Sequence, residues 1–143
     1  MGSEMCIRDS FTLGWLAERY PEMVKRISDN GHEIASHGWD HRLLTTLKPD
    51  EFYSDVVKTR TLLEDITGEK VTGYRAPSYS VNHTNLWVHD VLAAAGYTYS
   101  SSIAPVVHDL YGMPDAPRFL HKRGSDITEV PITTVQVLSL IHI

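Results

Sequence analysis

From Gly14 the apolar residues Leu16, Tyr20, Met23, Val24 and Ile27 recur mainly at spacings of three and four, which predicts an amphipathic helix. Pro21 interrupts that run and suits a first helical turn, where its missing N–H is no loss. Asn30 and Gly31 supply the stop. His32 to Ser36 (HEIAS) is short, apolar at its centre and bounded by Gly31 and Gly38, the pattern of a buried strand. A second helix is predicted from Pro49 to Thr67. Pro49 takes its first position, Asp50 and Glu51 its first turn, and Phe52, Val56, Leu63 and Ile66 one face, with Gly68 after it. Val71 to Arg75 reads as the next strand, Asn85 to Ala95 as a third helix with Leu86, Val91, Leu92 and Ala95 inward, and Tyr97 to Ser100 as another strand.

Strand and helix therefore alternate, the signature of parallel strands joined by crossover helices, and the expected class is α/β, a layered fold or a barrel. Beyond Ser101 periodicity is lost from Ile103 to Arg123, a Pro- and Gly-bearing stretch long for a connection inside a compact domain; such loops tend to be functional. The β-branched run from Ile127 to Val137 contains Pro131 and is expected to be a last strand, at a sheet edge or starting after the proline.

Composition narrows the function classes. A net charge of -5 with scattered Lys and Arg lacks the footprint that phosphate backbones demand, so nucleic acid is not an expected partner. No apolar run approaches the roughly 20 residues that span a bilayer, so no transmembrane segment is expected in this chain. One cysteine, Cys6, excludes an internal disulfide framework and a cysteine-based zinc site. The opening MGSEMCIRDS has no periodicity joining it to the first predicted helix; it and the closing residues 139–143 (SLIHI) resemble translated sequencing adaptor. The chain accordingly divides into three segments: 1–10 and 139–143 non-native, and 11–138 a partial domain of a longer protein.

In parallel α/β folds, reacting groups gather at strand C-terminal ends, and two segments fall there: SHGWDH (36–41) and RAPSYS (75–80). His37 and His41 are near enough in sequence to bind one borderline ion such as zinc. Spacing alone is weak evidence, since eight histidines in 143 residues give about 0.4 such pairs by chance, and two surface histidines in a loop is the plainer reading. Gly38 allows a sharp turn after His37, and Ser36, Trp39 and Asp40 could orient or shield the rings. Arg75 ends a strand and is followed by Ala76 and Pro77, which stiffen the turn; its guanidinium could hold a carboxylate bidentately or make an ordinary structural ion pair. Of the other histidines, His32 is expected to be structural, His83 and His89 solvent-facing, and His108 and His121 part of the long loop. Trp39, Tyr79, Tyr111 and Phe119 could stack on a ligand ring, though aromatics in such folds are more often core.

GHEIASHGWDH (31–41) resembles the second motif of the polysaccharide deacetylase family, the NodB-like carbohydrate esterases, and RAPSYS resembles that family's R-x-P-[YF] motif. FTLGWLAERYPEMVKRI, LLEDITGEKVTGYRAPSYS, YTYSSSIAP and YGMPDAPRF are similar to the branch associated with exosortase-linked exopolysaccharide loci, so the likeness runs from about Phe11 to Leu138. It implies a partial distorted (β/α) barrel of the NodB-like type that removes N-acetyl groups from an acetylated polysaccharide. It further implies zinc or a similar divalent ion held by His37, His41 and an aspartate, and a second aspartate acting as general base and held by Arg75. The backbone at Ser78, beside Tyr79, would steady the oxyanion.

This sequence departs from that pattern in four places. The paired aspartates of the family's first motif belong to a strand upstream of Phe11. Ser78 stands where the motif usually has Tyr or Phe. Ser100 stands where related sequences often carry aspartate, and the family's last histidine is expected downstream of Leu138. The fragment alone is therefore expected to be inactive. Two other readings stay open: a NodB-like amidohydrolase on a small amide, and a non-catalytic carbohydrate-binding relative.

Overall fold

A computed structural model describes residues 9–108, 112–124 and 126–132. Residues 1–8, Tyr111 and 133–143 lie outside that set, and with them Cys6, the rest of the last predicted strand and segment 139–143. The elements run β1 (Asp9–Thr12), α1 (Gly14–Arg19), α2 (Pro21–Asp29), β2 (Glu33–Ser36), α3 (Pro49–Thr67), β3 (Gly73–Tyr74), α4 (Trp87–Ala94), β4 (Tyr99–Ser100), β5 (His121–Arg123) and β6 (Ile127–Glu129). They form one six-stranded sheet in the order β1-β2-β3-β4-β6-β5. Every neighbouring pair is parallel except β5 with β6. This is the α/β architecture of parallel strands expected from the alternation of strand and helix, and it agrees with the partial (β/α) barrel that the resemblance implies.

The longest helix follows its sequence signals. Pro49 starts α3, the Lys48 backbone N–H donates to Glu51 Oε1 (3.1 Å), and Gly68 ends it in the left-handed region at φ 71. Its face Phe52, Val56 and Leu63 is fully buried, and α3 packs on α1, α2, α4 and β2. Phe52 meets Tyr74 and Trp87 edge to face, with ring centroids 5.5 and 5.8 Å apart. The first predicted helix is two helices, because the break before Pro21 leaves Tyr20 outside helical geometry at φ -130, ψ 60.

Four expectations are corrected. β3 covers only Gly73–Tyr74, since the Val71 N–H is taken by Glu64 Oε2 (2.8 Å) and its carbonyl by Arg60 Nε (3.1 Å), side chains that displace a ladder. The stretch before Arg123 is not structureless to its end: His121–Arg123 forms β5, which turns back through Gly124 at φ 59 onto β6. The last strand is not at the edge. β6 lies between β4 and β5, and within the described residues it ends before Pro131. Finally, His89 faces inward, 1% exposed, its Nε2 3.1 Å from Glu129 Oε2, whereas His83 is exposed as expected and meets Asp115 (2.8 Å).

Candidate active site

The two motif loops leave adjacent parallel strands. β2 ends at Ser36 and β3 at Tyr74, and these two residues are register partners. The ladder continues into both loops, with His37 N–H donating to Thr12 O (3.0 Å) and Arg75 N–H to Ser36 O (2.9 Å). The His37 and Arg75 backbones are thereby fixed beside one another at the strand ends.

Gly38, at φ 79, turns the chain directly after His37, its N–H donating to Ser36 Oγ (3.3 Å). The next residue is anchored from α3, where Asp55 Oδ1 accepts the Trp39 N–H (3.1 Å). Burial, only partly offset by that bond, raises the Asp55 carboxyl above its ordinary value. Trp39 covers Gly14, where any Cβ would collide with the indole, and Lys58 Nζ lies 3.6 Å from its ring centroid. Trp39 thus packs against Gly14 and Lys58. His41 completes the turn at φ 62 and is exposed.

These constraints bring the imidazoles of His37 and His41 to a centroid separation of 4.9 Å, edge to face. His37 Nδ1 lies 2.7 Å from Arg75 O. A carbonyl can only accept, so Nδ1 carries the proton and Nε2 keeps a free lone pair, the tautomer a metal ligand needs. Burial, with the neighbouring His41 and Arg75 charges, lowers the His37 pKa against the raising effect of that carbonyl bond, which favours the neutral ring.

In the second loop the Tyr79 N–H donates to Ala76 O (3.2 Å) and the Ser80 N–H to Pro77 O (3.1 Å), and Ser78 is exposed. Ser78 and Tyr79 are left-handed at φ 52 and 48. Among the described residues, the non-glycine positions of positive φ are these two and His41. Each costs on the order of 1–3 kcal/mol, and such strain gathers at functional sites. The Arg75 guanidinium meets serine rather than carboxylate oxygens: Nε donates to Ser101 O (2.9 Å) and a terminal nitrogen to Ser101 Oγ (2.8 Å). It also stacks on Phe11, Cζ 4.2 Å from the ring centroid, and lies 5.5 Å from that of Tyr79.

Arg75 and Ser101 line a cleft of about 580 Å³ with Asp9, Phe11, Glu33 and Tyr99. A larger cleft, about 930 Å³, runs along α1 and α2, and neither cleft is lined by His37 or His41. Of the remaining expected contacts, His108 and Phe119 are exposed and His121 Nδ1 is 2.9 Å from Phe119 O, all apart from the motif loops in sequence. The structure therefore brings His37, His41, Arg75 and Tyr79 into one neighbourhood. No group of three His, Cys, Asp or Glu suited to a metal occurs among the described residues.

A family model described as polysaccharide deacetylase matches residues 9–100, well over half of the chain. The chain belongs to the polysaccharide deacetylase family. A second model, described only as a domain of unknown function, matches residues 101–142. Among curated relatives, a peptidoglycan deacetylase-like protein of Gibberella zeae is 35% identical over 101 residues, covering 71% of this chain and 29% of that protein. The peptidoglycan-N-acetylglucosamine deacetylase PgdA of Listeria monocytogenes is 39% identical over 72 residues, covering 50% of this chain and 16% of that protein. A crystal structure from Mycobacterium smegmatis assigned to the polysaccharide deacetylases superposes with a TM-score of 0.70 at 28% identity, covering 87% of this chain and 40% of that one. This polysaccharide deacetylase chain thus spans less than half the length of each of these proteins.

Sequence reasoning missed one buried group near this site. Glu129, fully buried on β6, accepts the N–H groups of Ser102 (2.7 Å) and Ile103 (2.9 Å) on Oε1 and meets His89 on Oε2. The spacing Leu86, His89, Leu92 puts His89 on the inward stripe of α4 and could have revealed its burial.

Proposed function

We propose that this chain is part of a metal-dependent hydrolase that removes N-acetyl groups from a polysaccharide, residues 11–138 forming part of its catalytic domain. His37 and His41 are two ligands of a divalent ion, with zinc the best match to paired imidazoles. The observation that carries the reading is the His37 Nδ1 to Arg75 O bond of 2.7 Å, which frees His37 Nε2 beside a second imidazole whose ring centroid is 4.9 Å away. Holding a ligating histidine by its other nitrogen is the usual support of a metal site.

The donor set fits such an ion in part: two nitrogens are present, while a third ligand and a general base are not brought to them by described residues. The paired aspartates called for by the family resemblance would supply both, so these 143 residues alone are expected to turn over little or no substrate. When bound, the ion would polarise the acetamide carbonyl and acidify a water. The chain's own part is to hold the His37 ring, to keep the Arg75 charge beside the cleft, and to offer the Ser78 backbone to the developing oxyanion, with Tyr79 lining its approach. The names of the relatives favour N-acetylated cell-wall sugars as the substrate class, while exopolysaccharide rests on the sequence resemblance alone.

Zinc titration by calorimetry tests the ligands. His37→Ala and His41→Ala should each lower affinity more than the roughly 10–100-fold that a supporting residue costs, while circular dichroism stays unchanged. Full affinity in either variant removes that histidine from the metal. Acetate release from an N-acetylated oligosaccharide, by a chain that includes the strand upstream of Phe11, tests the reaction and should vanish in the His41→Ala form.

A further inference from the structure

We propose that Glu129, outside both motifs and inside the segment matched only by a domain of unknown function, is a positioning residue for the histidine site. This rests on the reading of His37 as a ligand. The observation is a series of hydrogen bonds, joined through adjacent residues of the chain, that leads from Glu129 to that ring. Glu129 Oε1 gathers the Ser102 and Ile103 N–H groups, which fixes the turn after β4. Ser102 then presents its Oγ to the Ala76 N–H (2.9 Å), and the preceding Ser101 binds the Arg75 guanidinium twice. Arg75 in turn presents its carbonyl to His37 Nδ1. Ser102, which holds Ala76, is thus held by one carboxylate from a neighbouring strand, and Ser101, which holds Arg75, is its neighbour in the chain; the β4–β6 register Ser100↔Glu129 sets the approach.

The placement has a cost that packing does not explain. Glu129 is fully buried and His89 nearly so, and His89 Nδ1 is a buried atom without a partner. With Nε2–H donating to Glu129, that nitrogen is a bare lone pair, a smaller penalty than an orphaned N–H but still a penalty. An apolar pair of similar volume would fill the space without it. What an apolar pair cannot do is accept two adjacent backbone N–H groups and so fix the conformation of residues 100–103.

The test follows the side-chain N–H signals of Arg75 (Nε) and His37 (Nδ1) by 15N NMR on the metal-free chain. Glu129→Ala should shift or broaden both and lower zinc affinity about 10–100-fold. Glu129→Gln, whose amide oxygen still accepts both N–H groups and whose NH2 can meet the other His89 tautomer, should restore them. Val56→Ala, a deletion in the α3 core, should lower the melting temperature and leave both signals in place. Unchanged signals in Glu129→Ala, an equal change in Val56→Ala, or a Gln variant that behaves as the Ala variant would each overturn the proposal. If Glu129→Ala does not fold, Ser102→Ala removes the acceptor of the Ala76 N–H and the partner of Ser100 Oγ while leaving the backbone N–H bonds to Glu129 in place, and unmoved signals there overturn it equally. Failure to bind zinc by a chain that also carries the upstream aspartates would sink the ligand reading while leaving the NMR result standing.

Discussion

Residues 33–80 and residues 100–130 both shape the histidine site, but they are built on different physics. The first region is apolar scaffold: Phe52, Val56 and Leu63 of α3 lie fully buried, Phe52 against Tyr74, and the motif loops project from the strand ends that this packing fixes. The second is held by polar groups taken out of water, with Ser100, Ser102 and Glu129 all fully buried and bonded to one another or to backbone. Apolar packing sets where strands lie without fixing any single hydrogen, whereas a buried carboxylate with two N–H donors fixes a loop conformation. The difference suggests a division of labour, in which α3 supplies stability and Glu129 supplies geometry.

The largest effect expected from that division is on stability. Phe52→Ala, which removes a fully buried ring in contact with Tyr74 and Trp87, should cost about 3–5 kcal/mol in urea unfolding. Ile127→Val on β6 should cost only about 0.5–1.5 kcal/mol. A cost at Ile127 well above the ordinary range for losing one methyl would show that the second region depends on apolar packing as well, and the contrast would fail.

A finer cut separates backbone strain from site geometry within the first region. Gly68 and Gly38 both sit in the left-handed region, at φ 71 and 79. A Cβ at Gly68 would meet nothing, while one at Gly38 would lie 3.2 Å from Asp55 Oδ1, the atom that holds the Trp39 N–H. Gly68→Ala should therefore cost about 1–2 kcal/mol from backbone conformation alone. Gly38→Ala should cost more and should also disturb zinc binding. Equal losses with unaltered zinc affinity would mean that the Asp55 anchor does not constrain the loop.

How far these features could be read in the sequence tracks the same division. The span Pro49–Thr67 was legible to its ends, because Pro49, Asp50, Glu51 and Gly68 agree with the apolar stripe they bound. The two motif segments were also legible as strand ends. Their convergence was not, since the bond from Arg75 O to His37 joins residues 38 apart and no local pattern encodes it. Left-handed backbone at His41, Ser78 and Tyr79 had no glycine to announce it. β5, the polar tripeptide His121–Arg123, has no apolar alternation, and its partner Glu129 reads in sequence as an outward-facing charge. Periodicity records burial of apolar groups and is silent on polar groups that are buried with partners.

Asp55 offers the smallest and most specific test of whether the first region, too, spends stability on geometry. Its folded-state pKa is raised above the ordinary 3.8, chiefly by burial, with the Trp39 N–H, Arg42 and Lys58 opposing and Asp40 adding to the rise. Between 3.8 and that raised value the folded chain binds more protons than the unfolded one, so stability is greatest below 3.8 and falls as pH rises through the folded-state value. Asp55→Asn keeps an oxygen for the Trp39 N–H and removes the titration. The variant should match wild type at about pH 3 and exceed it near neutrality, the gap opening as pH rises through the folded-state value. Chemical denaturation of both chains from about pH 3 to about pH 7 measures the difference directly. A gap that shrinks as pH rises would reverse the sign and show that the ionised carboxylate stabilises the loop, in which case the scaffold around His37 and His41 would hold its geometry at no cost to the fold.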